Sequence, residues 1–162
     1  MKQNKFIPND LSKKLLMVAS NEMPREVWLR GKTYDTYFEN MQYITTWTLS
    51  SQWVKAYYAL VSIIKFFFIL LFNPQIKIVH IQGAANASFE RKAIFIKLSS
   101  LFKKKIIYHM HACDFIPYYE ASRKKEWIRS IINTSDYFFV LSKSWKEYLF
   151  QLELIQRKFR NE

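Results

Sequence analysis

The feature of this 162-residue chain that most limits its fold is a regular alternation of strand-like and helix-like segments from residue 75 onward. The strand-like runs are 75–82, 104–111 and 136–141, and the helix-like runs are 87–102, 118–132 and 144–159. Short strands that alternate with helices of about 12 to 16 residues pair in parallel and carry helices on both faces of the sheet. The sequence therefore predicts an α/β, Rossmann-like fold with a mostly parallel sheet.

The first part of the chain has a less regular pattern. A continuous apolar run at residues 13–19 indicates a buried strand, and the Thr-rich run 41–48 indicates a strand at a sheet edge. Pro24 favours a short helix over residues 24–30. Residues 51–72 have the length of a long helix, whose apolar part is short for a membrane span and carries Lys65 near its middle. We expect a buried or interfacial helix here.

Composition predicts one domain over residues 1–162, because half of the residues are apolar and the length suits a single core. The single cysteine, Cys113, excludes an internal disulfide, and the polar N-terminal residues do not resemble a signal peptide. These features predict a cytoplasmic protein. With only two glycines, Gly31 and Gly83, the chain contains neither a Walker loop nor a three-glycine dinucleotide fingerprint.

The net charge of +12 favours phosphate-bearing partners: nucleic acid, an anionic membrane or a nucleotide-linked substrate. Most aromatic residues lie inside apolar runs, where core packing explains them better than base stacking does. The sequence contains no helix-turn-helix, zinc-knuckle or RNA-recognition motif, which disfavours nucleic acid. A non-catalytic basic module that binds an anionic membrane or nucleic acid stays open as an alternative function.

Ligands of parallel α/β sheets bind beyond the carboxyl ends of the strands, so the functional residues are expected at the strand ends. After the first of them, Gly83 and small residues precede a helix that carries Arg91. Small side chains allow a ligand to approach the helix N-terminus, but a tight turn alone also favours glycine. The sequence leaves both interpretations open.

The second strand end carries His109, His111, Cys113 and Asp114. The spacing fits no closed tetrahedral metal site, so we expect no metal. An imidazole and a carboxylate can bind the hydroxyls of a polar substrate, whereas a buried histidine and a helix-capping aspartate are the structural alternative.

At the third strand end, Ser142 and Lys143 can contact a phosphate or a sugar. Helix initiation is the competing explanation, because Ser144 and Glu147 fit a capping box.

These three segments together resemble the N-terminal domain of family-four glycosyltransferases, enzymes of GT-B fold that build bacterial polysaccharides and glycolipids. The matching segments are Val79-His80-Ile81-Gln82-Gly83 with Phe89-Glu90-Arg91-Lys92, then His109-Met110-His111-Ala112-Cys113-Asp114-Phe115, and Val140-Leu141-Ser142-Lys143-Ser144-Trp145. The resemblance covers residues 75–149 well, 51–72 moderately and 1–50 poorly.

The resemblance implies a retaining hexosyl transfer from a nucleotide-sugar to a saccharide or lipid-linked acceptor, without a further cofactor. By the same resemblance, His111 is the catalytic residue of the cleft, and Gly83, Arg91 and Asp114 border the acceptor pocket, with Ser142 and Lys143 as further substrate contacts. The basic surface and the Phe-rich helix also favour docking at an anionic membrane, so the chain is expected in the cytoplasm or peripherally at the inner face of the cell membrane.

The chain also departs from the family pattern. Residues 19–25 lack the family's glycine-rich turn, and Gln82 and Ala112 replace residues that are usually His and Gly. Nothing in the sequence matches the family's second, donor-binding domain, which supplies the charges that hold the nucleotide-sugar. We therefore expect an acceptor-side half that is inactive alone and that depends on a separate donor-binding chain.

Overall fold

A computed structural model describes residues 7–19, 37–39, 41–46, 51–112 and 114–151, and within them five strands form one parallel sheet. The strands are β1 (Leu15–Ala19), β2 (Gln42–Thr45), β3 (Ile78–Gly83), β4 (Lys105–Met110) and β5 (Tyr137–Phe139), and their order in the sheet is β2-β1-β3-β4-β5. The helices are α1 (Asn9–Ser12), α2 (Gln52–Phe72), α3 (Asn86–Leu101), α4 (Phe115–Ala121), α5 (Lys125–Thr134) and α6 (Lys143–Gln151). The α/β, Rossmann-like fold expected from the alternation is confirmed.

The chain divides into two compact units, Met1–Val79 and His80–Glu162, with the boundary inside β3. The single domain expected over residues 1–162 stays a prediction.

In the first unit, the apolar run at residues 13–19 forms β1, which begins at Leu15. Leu15, Leu16, Met17 and Val18 are all buried, as expected for a central strand. Residues 41–48 contain β2, which pairs in parallel with β1 and lies at the sheet edge, as its polarity predicts. The short helix expected over residues 24–30 lies outside the described residues.

Helix α2 has nearly the bounds that the sequence predicts, with Ser51 in extended geometry before its first residue. It ends where Asn73-Pro74 disfavours further helix. The sequence predicts a buried or interfacial helix, and the structure excludes the buried alternative, since only Ser62, Phe66 and Leu70 are buried along its 21 residues.

In the second unit, β4 places alternate residues in different environments. Ile106, Tyr108 and Met110 are buried, whereas Ile107 and His109 between them are partly exposed. Successive side chains of a strand point to opposite faces, so one face of β4 belongs to the core. On that face the ring of Tyr108 contacts Phe89 of α3 and Phe138 of β5.

Asp136 aligns β5 with β4. One of its carboxylate oxygens accepts from the backbone N–H of Ile106 at 2.8 Å, and the other accepts from Lys105 Nζ at 2.8 Å. These bonds lie at the start of the parallel pairing of β4 with β5, in which Ile107 lies opposite Tyr137.

Two local predictions in this unit are wrong. The helix expected over residues 118–132 is two helices, α4 and α5, because Ser122 adopts extended geometry and its hydroxyl accepts the N–H of Lys124 at 3.0 Å. The helix expected to start at Ser144 starts at Lys143. Its cap is Ser142, whose Oγ accepts the N–H of Trp145 at 3.3 Å, as an N-cap residue does.

Candidate functional site

The candidate site lies at the carboxyl ends of β3 and β4, where the sequence places most of the expected site residues. The backbone N–H of His111 donates to the carbonyl of Gly83 at 3.0 Å, so the two strand ends are held together. Loops of this kind, positioned by a rigid sheet, are where α/β proteins hold their ligands.

Gly83 is required by close packing. A Cβ at this position would overlap the hydroxyl and ring of Tyr108, which is fully buried. The backbone of Gly83 does not have positive φ, so conformational freedom is not what demands glycine. The contact with Tyr108 accounts for this glycine without a ligand.

Asn86, the first residue of α3, is bonded to Asp114 in the loop after β4, so the two strand ends are connected. Asn86 Nδ2 donates to Asp114 Oδ2 at 3.2 Å. Asn86 has φ of 56°, a left-handed conformation that a residue other than glycine rarely adopts. Asp114 precedes α4, but its carboxylate forms no capping bond with that helix. The carboxylate of Asp114 is bonded instead to the amide of Asn86, so an exposed carboxylate and an exposed amide lie side by side.

A row of imidazole rings leads into this edge of the sheet. His80 and His109 stack with centroids 5.9 Å apart, and the centroids of His109 and His111 are 4.0 Å apart. Burial, and secondarily the neighbouring His109, lower the pKa of His80 to about 4, so His80 is neutral at physiological pH. In the described part of the chain, no group of three His, Cys, Asp or Glu side chains could hold a metal ion. Cys113 is outside that part.

Arg91 and Lys92 lie in α3, the helix that follows the first strand end. Arg91 is partly buried, and burial lowers the pKa of its guanidinium. Lys92 is fully buried with its Nζ 5.9 Å from the ring centroid of Phe95, and burial, then repulsion from Arg91, lower its pKa to about 7. The sequence did not distinguish Lys92 from a solvent-exposed lysine, because residue type and spacing carry no sign of its burial.

Ser142 and Lys143 line a separate cavity of about 430 Å³ at the carboxyl end of β5. Lys146 and apolar residues from Phe138 to Leu141 complete its lining. Because the hydroxyl of Ser142 also contacts Ser144 Oγ at 3.0 Å and caps α6, helix initiation accounts for this serine. Neither His111 nor Asp114 lines this cavity.

The structure thus brings Gly83, His111 and Asp114 to adjacent loops, with Arg91 on the helix that follows. Ser142 and Lys143 lie at the next strand end, in their own cavity. Asn86, the bonded partner of Asp114, was not expected from the sequence, and its only signal there is its position among small residues before α3.

In comparisons with known proteins, no family model, no curated protein and no solved structure matches this chain.

Proposed function

We propose that this chain is the acceptor-side half of a nucleotide-sugar-dependent glycosyltransferase, in which the loops after β3 and β4 bind the hydroxyls of a saccharide. His111 is the residue nearest the chemistry in this proposal, Asp114 and Asn86 are hydrogen-bonding partners of the sugar, and Arg91 borders the same pocket. The motifs at the three strand ends suggest the reaction class, and the fold is compatible with it.

The observation that carries the proposal is the hydrogen bond from Asn86 to Asp114 across the two loops, next to the strand end that carries His111. A carboxylate accepts hydrogen bonds, and an amide both donates and accepts them. The exposed pair of Asn86 and Asp114 complements vicinal hydroxyl groups, whereas both ring nitrogens of His111 are buried beside it. The left-handed geometry of Asn86 adds support, because strained backbone conformations cluster at ligand-binding loops.

Glycosyl transfer also needs positive charge at the leaving diphosphate, since electrostatic stabilisation of the departing group dominates the rate. Of the two cations in the expected site, Arg91 is partly buried on α3, which lowers the pKa of its guanidinium, and Lys143 lies in the separate cavity at the end of β5. We therefore propose that a second, donor-binding chain or domain supplies the diphosphate site and that the acceptor half alone does not turn over.

A binding experiment tests the acceptor site without requiring turnover. Saturation-transfer NMR of the purified chain with a panel of mono- and disaccharides should show contact with at least one saccharide class. Asp114→Asn should weaken that contact about tenfold, because it replaces a charged acceptor of the sugar hydroxyls by a neutral one, and His111→Ala should also weaken it, because it removes the imidazole at that strand end.

Glu147→Gln on α6 is the matched control, since it removes an exposed carboxylate far along the sequence from both loops. A transfer assay with nucleotide-sugars, run with and without the product of the adjacent reading frame, then tests the split enzyme. Saccharide contact that Asp114→Asn and His111→Ala leave unchanged would contradict the proposed site, and transfer by the purified chain alone would contradict the proposed division of labour.

A further inference from the structure

The exposed face of α2 carries most of the exposed large apolar side chains among the described residues of the first unit. Trp53 is 86% exposed and Phe72 is 75% exposed, and large apolar side chains follow one another between them. The exposed set is Trp53, Val54, Tyr57, Tyr58, Leu60, Val61, Ile64, Phe67, Phe68, Leu71 and Phe72. At 3.6 residues per turn these side chains cover about half of the helix circumference. A soluble surface rarely leaves so wide an apolar face uncovered.

Helix α2 is also the one helix among the described residues that is long and apolar enough to cross a membrane. Its other face argues against a span. Ser62, Phe66 and Leu70 form a buried stripe at i, i+4 and i+8, so the C-terminal half of the helix packs against its own unit. Lys65 lies in the middle of the helix at the border of the apolar face. A helix held in this way can enter a bilayer surface but cannot be surrounded by lipid.

Basic side chains lie next to the C-terminal end of α2. A cavity of about 560 Å³ is lined by Lys13, Lys14 and Lys77 together with Asp10, Pro74 and Gln75. The backbone N–H groups of Lys77 and Ile78 both donate to the carbonyl of Lys14, at 2.9 and 3.0 Å, and so hold the segment after α2 against the start of β1. In the described residues, none of the three lysines takes part in an ion pair.

The charge of this unit fits an anionic surface. Its described residues include five lysines and only two carboxylates, Asp10 and Glu39, and α2 itself contains no acidic residue. The aromatic residues at the start of α2 are Trp53, Tyr57 and Tyr58, the types enriched where a protein meets the lipid headgroups. A second copy of this face would bring like charges together, whereas lipid phosphate would neutralise them.

We infer that α2 is a monotopic membrane anchor: its exposed face enters the headgroup and acyl boundary of an anionic phospholipid bilayer, and Lys13, Lys14 and Lys77 bind lipid phosphates beside its C-terminal end. A free interfacial helix has a polar face opposite its apolar one. In α2 the packed stripe on the protein takes the place of that polar face. The anchor is independent of the proposed sugar chemistry.

Co-sedimentation of the full chain with vesicles tests the anchor. Vesicles of phosphatidylcholine and phosphatidylglycerol should bind the chain much more tightly than phosphatidylcholine alone, and high salt should weaken the binding. Phe68→Glu with Leu71→Glu should abolish it. The matched control is Ile94→Glu with Leu101→Glu, which places the same charges at exposed apolar positions of α3 and should leave binding unchanged.

A separate variant tests the proposed contacts between the three lysines and lipid phosphate. Replacing Lys13, Lys14 and Lys77 by Gln should reduce affinity for the anionic vesicles by roughly fivefold per lysine at low salt. The charge-matched control, Gln at Lys97, Lys103 and Arg123, should reduce it less.

Three results would overturn the inference. Equal binding to neutral and anionic vesicles would contradict the proposed contacts with lipid phosphate. Retention of the protein in the membrane pellet after alkaline carbonate extraction would indicate a membrane-spanning helix. Sedimentation analysis that shows a dimer in buffer, made monomeric by Phe68→Glu with Leu71→Glu, would assign the face to a second copy. Circular dichroism of each variant verifies that the fold is intact.

Discussion

The phenol of Tyr108 occupies the space that a side chain at Gly83 would need. Tyr108 belongs to β4 and Gly83 ends β3, so this contact fixes how closely the two neighbouring strand ends approach. The hydroxyl of Tyr108 is buried and has no hydrogen-bond partner among the described residues, and its burial raises the pKa of the phenol well above its usual range.

Gly83→Ala should therefore destabilise the protein. The added methyl group overlaps the ring of Tyr108, and overpacking of this kind costs about 1–3 kcal/mol. Urea unfolding followed by circular dichroism measures the loss. Tyr108→Phe alone should stabilise by about 1 kcal/mol, because it removes a buried hydroxyl without a partner, and it should partly rescue Gly83→Ala. Strictly additive effects in this double-mutant cycle would show that the two positions do not interact.

The low pKa of His80 predicts a loss of stability in acid. The unfolded chain binds a proton near pH 6.5, whereas folded His80, with a pKa of about 4, does not. The penalty is absent above pH 6.5 and grows as the pH falls toward 4, where it reaches about 3 kcal/mol. Unfolding free energies at pH 7 and pH 4.5 measure it. His80→Gln should show a smaller drop between the two, and an equal drop would contradict the assignment.

Lys92 predicts a separate dependence at alkaline pH. Its folded pKa is about 7 and its ordinary value is 10.5, so between these values the unfolded state binds more protons than the folded state. Stability should therefore rise from pH 7 to pH 10, by an amount on the order of a few kcal/mol. Lys92→Met should flatten this rise. Comparison of wild-type and Lys92→Met unfolding curves at pH 7 and 9.5 isolates the contribution of Lys92, and parallel behaviour of the two would rule it out.

The cap of α6 predicts different costs for two neighbouring serines. Ser142→Ala removes the oxygen that accepts the N–H of Trp145 and should cost about 1 kcal/mol. Ser144→Ala removes only a contact between two exposed hydroxyls and should cost a few tenths of that. Thermal unfolding of both variants compares the two losses of stability. A larger loss for Ser144→Ala would support the capping box that the sequence suggests.

The elements that local signals define could be predicted from the sequence. The apolar run predicts β1 because strands buried on both faces carry short continuous runs of this kind, and Asn73-Pro74 predicts the end of α2. The polar composition of β2 also predicts its edge position correctly.

The features that depend on tertiary contacts could not be predicted from the sequence. The break between α4 and α5 rests on one hydroxyl bond of Ser122, in a sequence whose Lys and Arg residues are compatible with helix. The sequence could not decide between a buried and an interfacial position for α2, because nothing local shows which partner covers an apolar helix. At the candidate site, the sequence points to His111 and Asp114 but not to Asn86, whose contact spans 28 residues.

The alternation along β4 has a consequence for how this site can change. Tyr108 and Met110 are packed into the core, and the residues between and after them are His109 and His111. An insertion or deletion of one residue within the strand would move the imidazoles into the core and the tyrosine to the opposite side. Packing of Tyr108 and Met110 therefore fixes the side of the strand on which the histidines lie. The protein can tolerate substitutions at this edge of the sheet, but it cannot tolerate an insertion or deletion of one residue within the strand.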